Sequence, residues 1–199
     1  ISSGRKGVCL LHQYVSTTDF FVMLRLSGVH RLEALFHPED KQNVSMAVQL
    51  LQHVVHVGRS GDIPGLPPAM KPLLTRVCVF GEMLHGLLAP IVDFGASLEQ
   101  LLLGLSTSSH LAFLLFRSAP TVSTFIPSVL YHDLQATIQT LFWITLKVQR
   151  TFPGSELHLF QQGTDAEERT FGDTRTISHN RNFTVYELAG VAYCPYLCN

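Results

Sequence analysis

Charged residues are scarce in this 199-residue sequence, since Asp, Glu, Lys and Arg together make up only 15% of it. Hydrophobic residues make up 46%, so the chain holds enough apolar material for a core and disorder is not expected. The basic surplus of a free-standing nucleic-acid binder is also missing, because 14 Lys and Arg stand against 15 Asp and Glu. Contact with DNA would need a local basic patch or a further domain.

Apolar runs long enough to cross a membrane are missing as well. The most apolar stretch, 101–116, covers about 16 residues against the roughly 20 that a spanning helix needs. That stretch also contains Ser106 and His110, so we predict buried core helices and no membrane association. No charged segment with a small-residue cleavage site follows Ile1, so no signal peptide is predicted. We expect a piece of a longer, intracellular protein.

Cysteine is sparse, and none of the four cysteines is placed for a complete zinc site. Cys9 and Cys78 stand in apolar surroundings, which is typical of free buried thiols. Cys194 and Cys198 form a C-x3-C pair without the second pair that zinc would need. We predict reduced thiols in an intracellular protein.

Helical periodicity dominates the first 150 residues. Gly and Pro punctuate the pattern, and residues 58–68 form the clearest linker, predicted as a boundary or an exposed loop. Short connections favour antiparallel packing of the long helices, and Trp143 is predicted to lie in their core. The predicted helices are 18–26 capped by Thr17 or Thr18, 29–36, 38–58, 70–88 with a break near Pro90, 97–117 opened by a Ser97–Gln100 capping box, and 127–150.

The pattern changes after Pro153 and Gly154. Alternating residues 156–159 predict one short strand, and helices are predicted over 165–175 and 183–193. Asp165 and Glu168 are three apart and therefore share a helix face, with Arg175 two turns beyond Glu168 on the same side. Carboxylates that follow a strand can hold the divalent metals of phosphoryl-transfer enzymes. Acidic residues in a first helical turn also arise from the helix dipole alone, so both readings remain open.

Two segments carry a family resemblance. Residues 163–175, which contain Asp165, Glu168 and Arg175, resemble the "G-T/D-D-x-L-E-x-L-F-G-x-x-R" segment of transposase-like proteins from mushroom-forming fungi. Residues 38–51 resemble the "N-P-x-D-K-Q-x-V-x-x-A-x-x-L-L" segment of the same proteins. The two segments are also similar, more distantly, to P-element-type DNA transposases.

The resemblance implies an RNase H-like core that cuts and joins DNA with Mg²⁺ or Mn²⁺ held by Asp, Asp and Glu. By motif match, Glu168 is the final catalytic and metal-binding Glu. Asp165 falls on an Asp that helps to bind the guanine of a GTP cofactor in P-element enzymes. Arg175 would steer a phosphate or pair with an acid. The partners implied are DNA, through the full-length parent, and the N-terminal core of that parent, with an intracellular and nuclear location expected.

The chain departs from the family in two places. Glu167 replaces the family's Leu, and no "D-x-x-H-x-x-K-x-x-R-N" segment with the second acid is found. We therefore expect a mainly α-helical fragment that is inactive alone. Its predicted parts are an N-terminal helical segment (1–62), a long-helix insertion bundle (63–153), and a strand and helix that return to an incomplete RNase H-like core (154–199). The alternative is a non-catalytic helical protein-interaction module or a decayed transposon remnant.

Overall fold

The computed structural model describes residues 7–40, 43–120 and 125–159. All of them belong to the first of two compact units of the chain, Ile1–Leu159. This part is mainly α-helical, with six α-helices and one two-stranded sheet among the described residues. The predicted helical class is confirmed.

A β-hairpin precedes the helices and was not predicted. Strands β1 (Gly7–Leu10) and β2 (Gln13–Ser16) pair antiparallel, with Leu10 opposite Gln13. The two turn residues, Leu11 and His12, have positive φ angles of 48° and 65°. Such backbone suits the twist of a two-residue hairpin, but Asn and Gly normally supply it, so the turn carries no sequence signal.

Helices α1 (Thr17–Leu26) and α2 (Leu32–Phe36) follow directly. Ser16, rather than the predicted Thr17 or Thr18, caps α1: its Oγ accepts from Asp19 N at 3.1 Å, and Asp19 Oδ2 accepts from Ser16 N at 2.8 Å. Gly28 turns the chain with a φ of 79°. The helix predicted from residue 29 begins only at Leu32, because Arg31 adopts the left-handed conformation at its N-terminus.

Helix α3 spans Val44–Ser60, so both of its predicted ends were wrong. Asn43 caps it instead of Pro38, since the Asn43 side chain accepts a hydrogen bond from Met46 N at 3.0 Å. The helix continues through Gly58, which is buried, and ends before Gly61, which has a φ of 66°. Gly58 fails to end the helix because it is needed for close packing, described below.

Helix α4 (Lys71–Val92) follows a 3-10 turn at Pro68–Met70 and continues through Pro90, where a break was predicted. The preceding segment was predicted as a boundary or an exposed loop, and Ile63 and Leu66 within it are buried in the core. That burial anchors the loop against the helices on either side.

Helices α5 (Leu98–Ser118) and α6 (Ser128–Thr151) complete the described structure. The predicted capping box of α5 is confirmed, with Gln100 N donating to Ser97 Oγ at 3.2 Å and Ser97 N donating to Gln100 Oε1 at 2.8 Å. Phe116 stacks on Tyr131 with 4.1 Å between the ring centroids. Helix α6 therefore packs along α5.

The long helices run antiparallel, as predicted. Across α3 and α4, Gly58 lies against Val77 while Val54 lies against Gly81. Across α4 and α5, Gly86 lies against Gly104 while Met83 lies against Ser108. In both pairs of helices the residue number rises along one helix as it falls along the other. The Ser108 hydroxyl is fully buried and donates to the Met83 carbonyl at 2.7 Å.

Two hydrophobic clusters hold these elements. The larger one joins the hairpin, α1 to α5 and the start of α6, and the smaller one contains Leu105, Ile138 and Leu159. The strand predicted at 156–159 does not form, because no neighbouring strand borders it among the described residues and Leu159 packs into the smaller cluster instead. Trp143 was predicted to lie in the core and is 70% exposed.

The predicted division at residues 62 and 63 falls in the loop between α3 and α4, which pack against each other. The division at 153 and 154 falls just after α6. The predicted helices over 165–175 and 183–193 lie outside the described residues, so the domain division and the RNase H-like core stay predictions.

Two of the described segments, Pro68–Val92 and Leu98–Ser118, are long and apolar enough by length and composition to cross a membrane. The apolar segment in α5, which is 21 residues long, is thus longer than the apolar run identified from the sequence. The criterion is weak, since core helices of soluble proteins meet it too, and the expected lack of membrane association stays a prediction.

Candidate functional site

The site residues predicted from the family resemblance are Asp165, Glu168 and Arg175. All three lie outside the residues that the structure describes. The second segment of the resemblance, 38–51, contains the start of α3, where Asn43 acts as the helix cap. That segment therefore has a structural role in the described part of the chain.

Metal ligands do not converge within the described part of the chain. No group of three or more His, Cys, Asp or Glu side chains there is placed to hold a metal ion. His53 and His56 share α3, but no third ligand joins them in that region. The binding of Mg²⁺ or Mn²⁺ by Glu168 stays a prediction.

A cavity between α1 and α2 is lined by several charged side chains. The cavity has a volume of about 480 Å³ and lies where the chain turns from the last turn of α1 into α2. We call it the α1–α2 cleft. Its polar lining includes the guanidinium-bearing Arg25 and Arg31 together with His30, and its apolar lining includes Phe21, Val29 and Leu32.

The cationic side chains of the α1–α2 cleft lack ion-pair partners among the described residues. Arg25, His30 and Arg31 are all exposed, and none lies within ion-pair distance of a carboxylate in that part of the chain. Glu33 also lines the cleft. The net positive lining is available to an anionic ligand.

A second cavity of about 510 Å³ adjoins the α1–α2 cleft, because Phe21 and Glu33 line both. Its wall also includes Thr18, Phe36 and His37. Phe21 and Phe36 contact each other with 5.7 Å between ring centroids. The shared border is therefore aromatic with one carboxylate.

A small polar cluster lies on the surface where α3 meets α4. Arg59 Nε is 3.5 Å from Glu82 Oε2, and Arg59 Nη1 is 3.0 Å from His85 Nε2. About half of each ion-paired side chain is exposed, so the pair contributes at most about 1 kcal/mol. The cluster links α3 and α4 at the surface.

Apolar side chains are exposed on α5 and α6. A shallow cavity of about 590 Å³ between these helices is lined by Leu102, Leu103 and Phe142 among others. Trp143 and Val129 are each 70% exposed on α6. Large exposed apolar areas mark interaction surfaces more often than isolated exposed side chains do.

The two described cysteines are free, as predicted. Cys9 is buried, and Cys78 is partly buried against the main core. Burial raises the pKa of the Cys78 thiol, which therefore stays protonated at neutral pH. A protonated thiol is a poor nucleophile and a poor metal ligand, so Cys78 has a packing role.

Sequence reasoning did not identify the α1–α2 cleft. The signal was present only as Arg25 near a helix end, a turn glycine at 28, and Arg31 three residues later. Each of these is common by itself. Their convergence depends on the left-handed backbone of Arg31, which the residue type does not predict.

Comparison of the whole chain with protein-family models, with curated proteins and with solved structures found no match in any of the three.

Proposed function

We propose that this chain contributes the helical insertion and the final acidic segment of a DNA transposase-like protein. Residues 163–175, with Glu168 at the position of the last catalytic acid, carry the proposal. A long helical region, residues 17–151, precedes them, and this order is the one that the resemblance implies. The reaction of the complete parent would be metal-dependent cleavage and transfer of DNA strands.

Glu168 would donate a carboxylate oxygen to Mg²⁺ or Mn²⁺ in that parent. Asp165 would lie beside it as a candidate nucleotide contact, and Arg175 would pair with a phosphate or an acid. DNA and the N-terminal core of the parent would be the partners, in an intracellular and nuclear setting.

This chain is expected to be inactive by itself. Each Mg²⁺ ion needs six oxygen ligands in near-octahedral geometry, and two-metal catalysis needs several carboxylates from separate chain positions. Glu168 alone does not meet that requirement, so the missing acids must come from the rest of the parent. GTP titrated into this chain should give no saturable binding, and micromolar affinity that Asp165→Ala removes would contradict that expectation.

A metal-dependent nicking assay on the full-length parent tests the proposal. Glu168→Ala should abolish Mg²⁺-dependent cleavage of supercoiled DNA. Glu167→Leu is the matched control, because the family has Leu at that position, and it should leave cleavage intact. Equal cleavage by the Glu168→Ala variant and the unmodified parent would remove Glu168 from the active site.

Exposed apolar side chains on α6 favour a second candidate function, a non-catalytic helical interaction module. Trp143 and Val129 lie exposed on α6 and would bury apolar area against a protein partner. In a pull-down with the parent's N-terminal core, Trp143→Asp should weaken capture. Thr140→Asp on the exposed side of α6 is the control. Nicking without dependence on Glu168, together with loss of capture for Trp143→Asp, would favour the module.

A further inference from the structure

The α1–α2 cleft has a chemistry that the transposase proposal does not use. Arg25 and Arg31 line one cavity of about 480 Å³, and neither has a carboxylate within ion-pair distance among the described residues. Its volume falls in the range of about 300–1,000 Å³ that is usual for small-molecule sites. A cavity of this size with unpaired guanidinium groups is suited to an anion with an organic part.

The backbone places these cations at a conformational cost. Arg31 has a φ of 59° in the left-handed region, which is unfavourable for a residue with a side chain. Glycine would adopt this backbone without that cost. Arginine supplies the cavity with a guanidinium group that glycine lacks. The turn is therefore less stable with arginine than it would be with glycine.

The rest of the lining defines the organic part of the ligand. Phe21, Val29 and Leu32 give the cavity an apolar wall, and Leu32 is itself buried in the main core. Phe21 is fixed by its contact with Phe36. A ring or alkyl group bound there would leave water and gain about 25 cal/mol for each Å² buried.

We propose that the α1–α2 cleft binds a small phosphate monoester whose organic group is apolar or aromatic. Arg25 and Arg31 supply planar, always-charged forks, which match phosphate oxygens bidentately. Two guanidinium groups suit a dianion better than a monoanionic carboxylate. Glu33, which also lines the cleft, opposes a second anionic group on the ligand and accepts a hydrogen bond from a hydroxyl or amine.

Nucleic-acid backbone is the less suitable anion. A duplex presents one charge per about 1.7 Å and needs a basic surface that extends along it. The cations here line one concave cavity, and the chain as a whole has a formal net charge of −1. The site therefore selects a compact anion, and the inference is independent of the transposase proposal.

Isothermal titration of the full chain with phenyl phosphate tests the site. Saturable binding is expected, with inorganic phosphate at least about tenfold weaker, because it lacks the apolar contact. Phenol, without the charge, should not bind. Arg25→Gln and Arg31→Gln should each weaken phenyl phosphate binding at least about tenfold, since each removes a charge-assisted hydrogen bond. Arg117→Gln, at an exposed arginine of α5, is the control and should change nothing.

Arg31→Gly gives a second test, in which weaker binding could not be attributed to a loss of stability. It should raise the thermal unfolding midpoint while it weakens phenyl phosphate binding. Absence of saturable binding to the unmodified chain would overturn the proposal. The proposal would also fail if the three variants Arg25→Gln, Arg31→Gln and Arg117→Gln bound phenyl phosphate equally well. It would fail likewise if phenyl phosphate did not bind while duplex DNA did, with DNA affinity lowered by the first two substitutions.

Discussion

Three residues with side chains, Leu11, His12 and Arg31, adopt positive φ angles among the described residues. At the hairpin, Leu11 and His12 occupy both central positions of a two-residue turn, where glycine and asparagine have the lower cost. At the start of α2, Arg31 has a similar cost and brings its guanidinium to a cavity. The unfavourable backbone of Leu11 and His12 thus forms the hairpin turn, whereas that of Arg31 lies beside a candidate ligand site.

The hairpin turn offers a direct test of that backbone cost. Leu11→Asn combined with His12→Gly should raise the free energy of unfolding by about 1 kcal/mol, because both residues tolerate left-handed backbone. Urea unfolding followed by circular dichroism measures the change. His37→Gly, at an exposed residue with a φ of −132°, is the control and should not stabilise the protein. Equal or lower stability of the double variant would show that the turn is not strained.

At single residues, sequence prediction succeeded where side chain and backbone signals agree. Ser97 and Gln100 were identified as a capping box, and the structure places both hydrogen bonds there. Pro38 was taken as a helix start, yet Asn43 supplies the side-chain acceptor that a helix N-terminus needs. The cleft at Arg31 could not be predicted, because its geometry depends on a backbone angle that arginine rarely adopts.

At the scale of elements, glycines set the spacing between helices. A Cβ added at Gly58 would lie 2.8 Å from the Val77 carbonyl oxygen and 2.9 Å from the Gly81 Cα. At Gly86 it would meet the backbone of Gly104 and the Ser108 hydroxyl. These contacts explain why Gly58 does not end α3: the helix needs a residue without a side chain there, and the packing outweighs the glycine's low helix propensity.

Substitution at the α4–α5 contact should be strongly destabilising. Gly86→Ala forces the two helices apart, because the obstructing atoms are backbone and a fully buried Ser108. We expect a loss of roughly 1–3 kcal/mol in unfolding free energy. Gly95→Ala is the control, because the nearest atom to its added Cβ is 3.6 Å away, and its stability should be unchanged within roughly 0.5 kcal/mol. Equal effects of the two variants would contradict the packing model.

Helices α4 and α6 differ sharply in burial. Helix α4 buries ten of its 22 residues, whereas α6 buries three of 24, namely Tyr131, Ile138 and Thr145. Local opening costs less free energy where few side chains are buried. Amides in the middle of α6 should therefore exchange hydrogen for deuterium faster than those in the middle of α4, as measured by mass spectrometry of peptides. Equal protection of both helices would show that the exposed face of α6 is covered in solution.

Over the whole molecule, sequence patterns predicted the class and the order of the long helices better than their surfaces. The period of apolar residues gave α5 and α6 to within two residues at each end. It did not reveal which apolar face is covered, so Trp143 was predicted to lie in the core and is exposed. A helix with apolar residues on two faces shows the same periodicity whichever face is buried. The packing of the neighbouring helices decides which face enters the core.

The apolar helices α4 and α5 raise the question of lipid association. Helix α4 shares its apolar surface with α3 and α5, and the middle of α5 contains Ser106, Thr107 and Ser109. We therefore expect the full chain to stay at the bottom of a density gradient in a liposome flotation assay. A known membrane-binding helical protein is the positive control. Flotation of the chain with neutral liposomes would contradict the prediction.

A reciprocal amide contact has a consequence for how α6 can move. The Ser109 hydroxyl donates to Gln135 Oε1 at 2.6 Å, while Gln135 Nε2 donates to the Ser109 carbonyl at 3.1 Å. Sliding α6 along α5 by one turn, about 5.4 Å, would break both bonds. The pair therefore favours a single alignment of α6 on α5, although α6 buries only three of its residues.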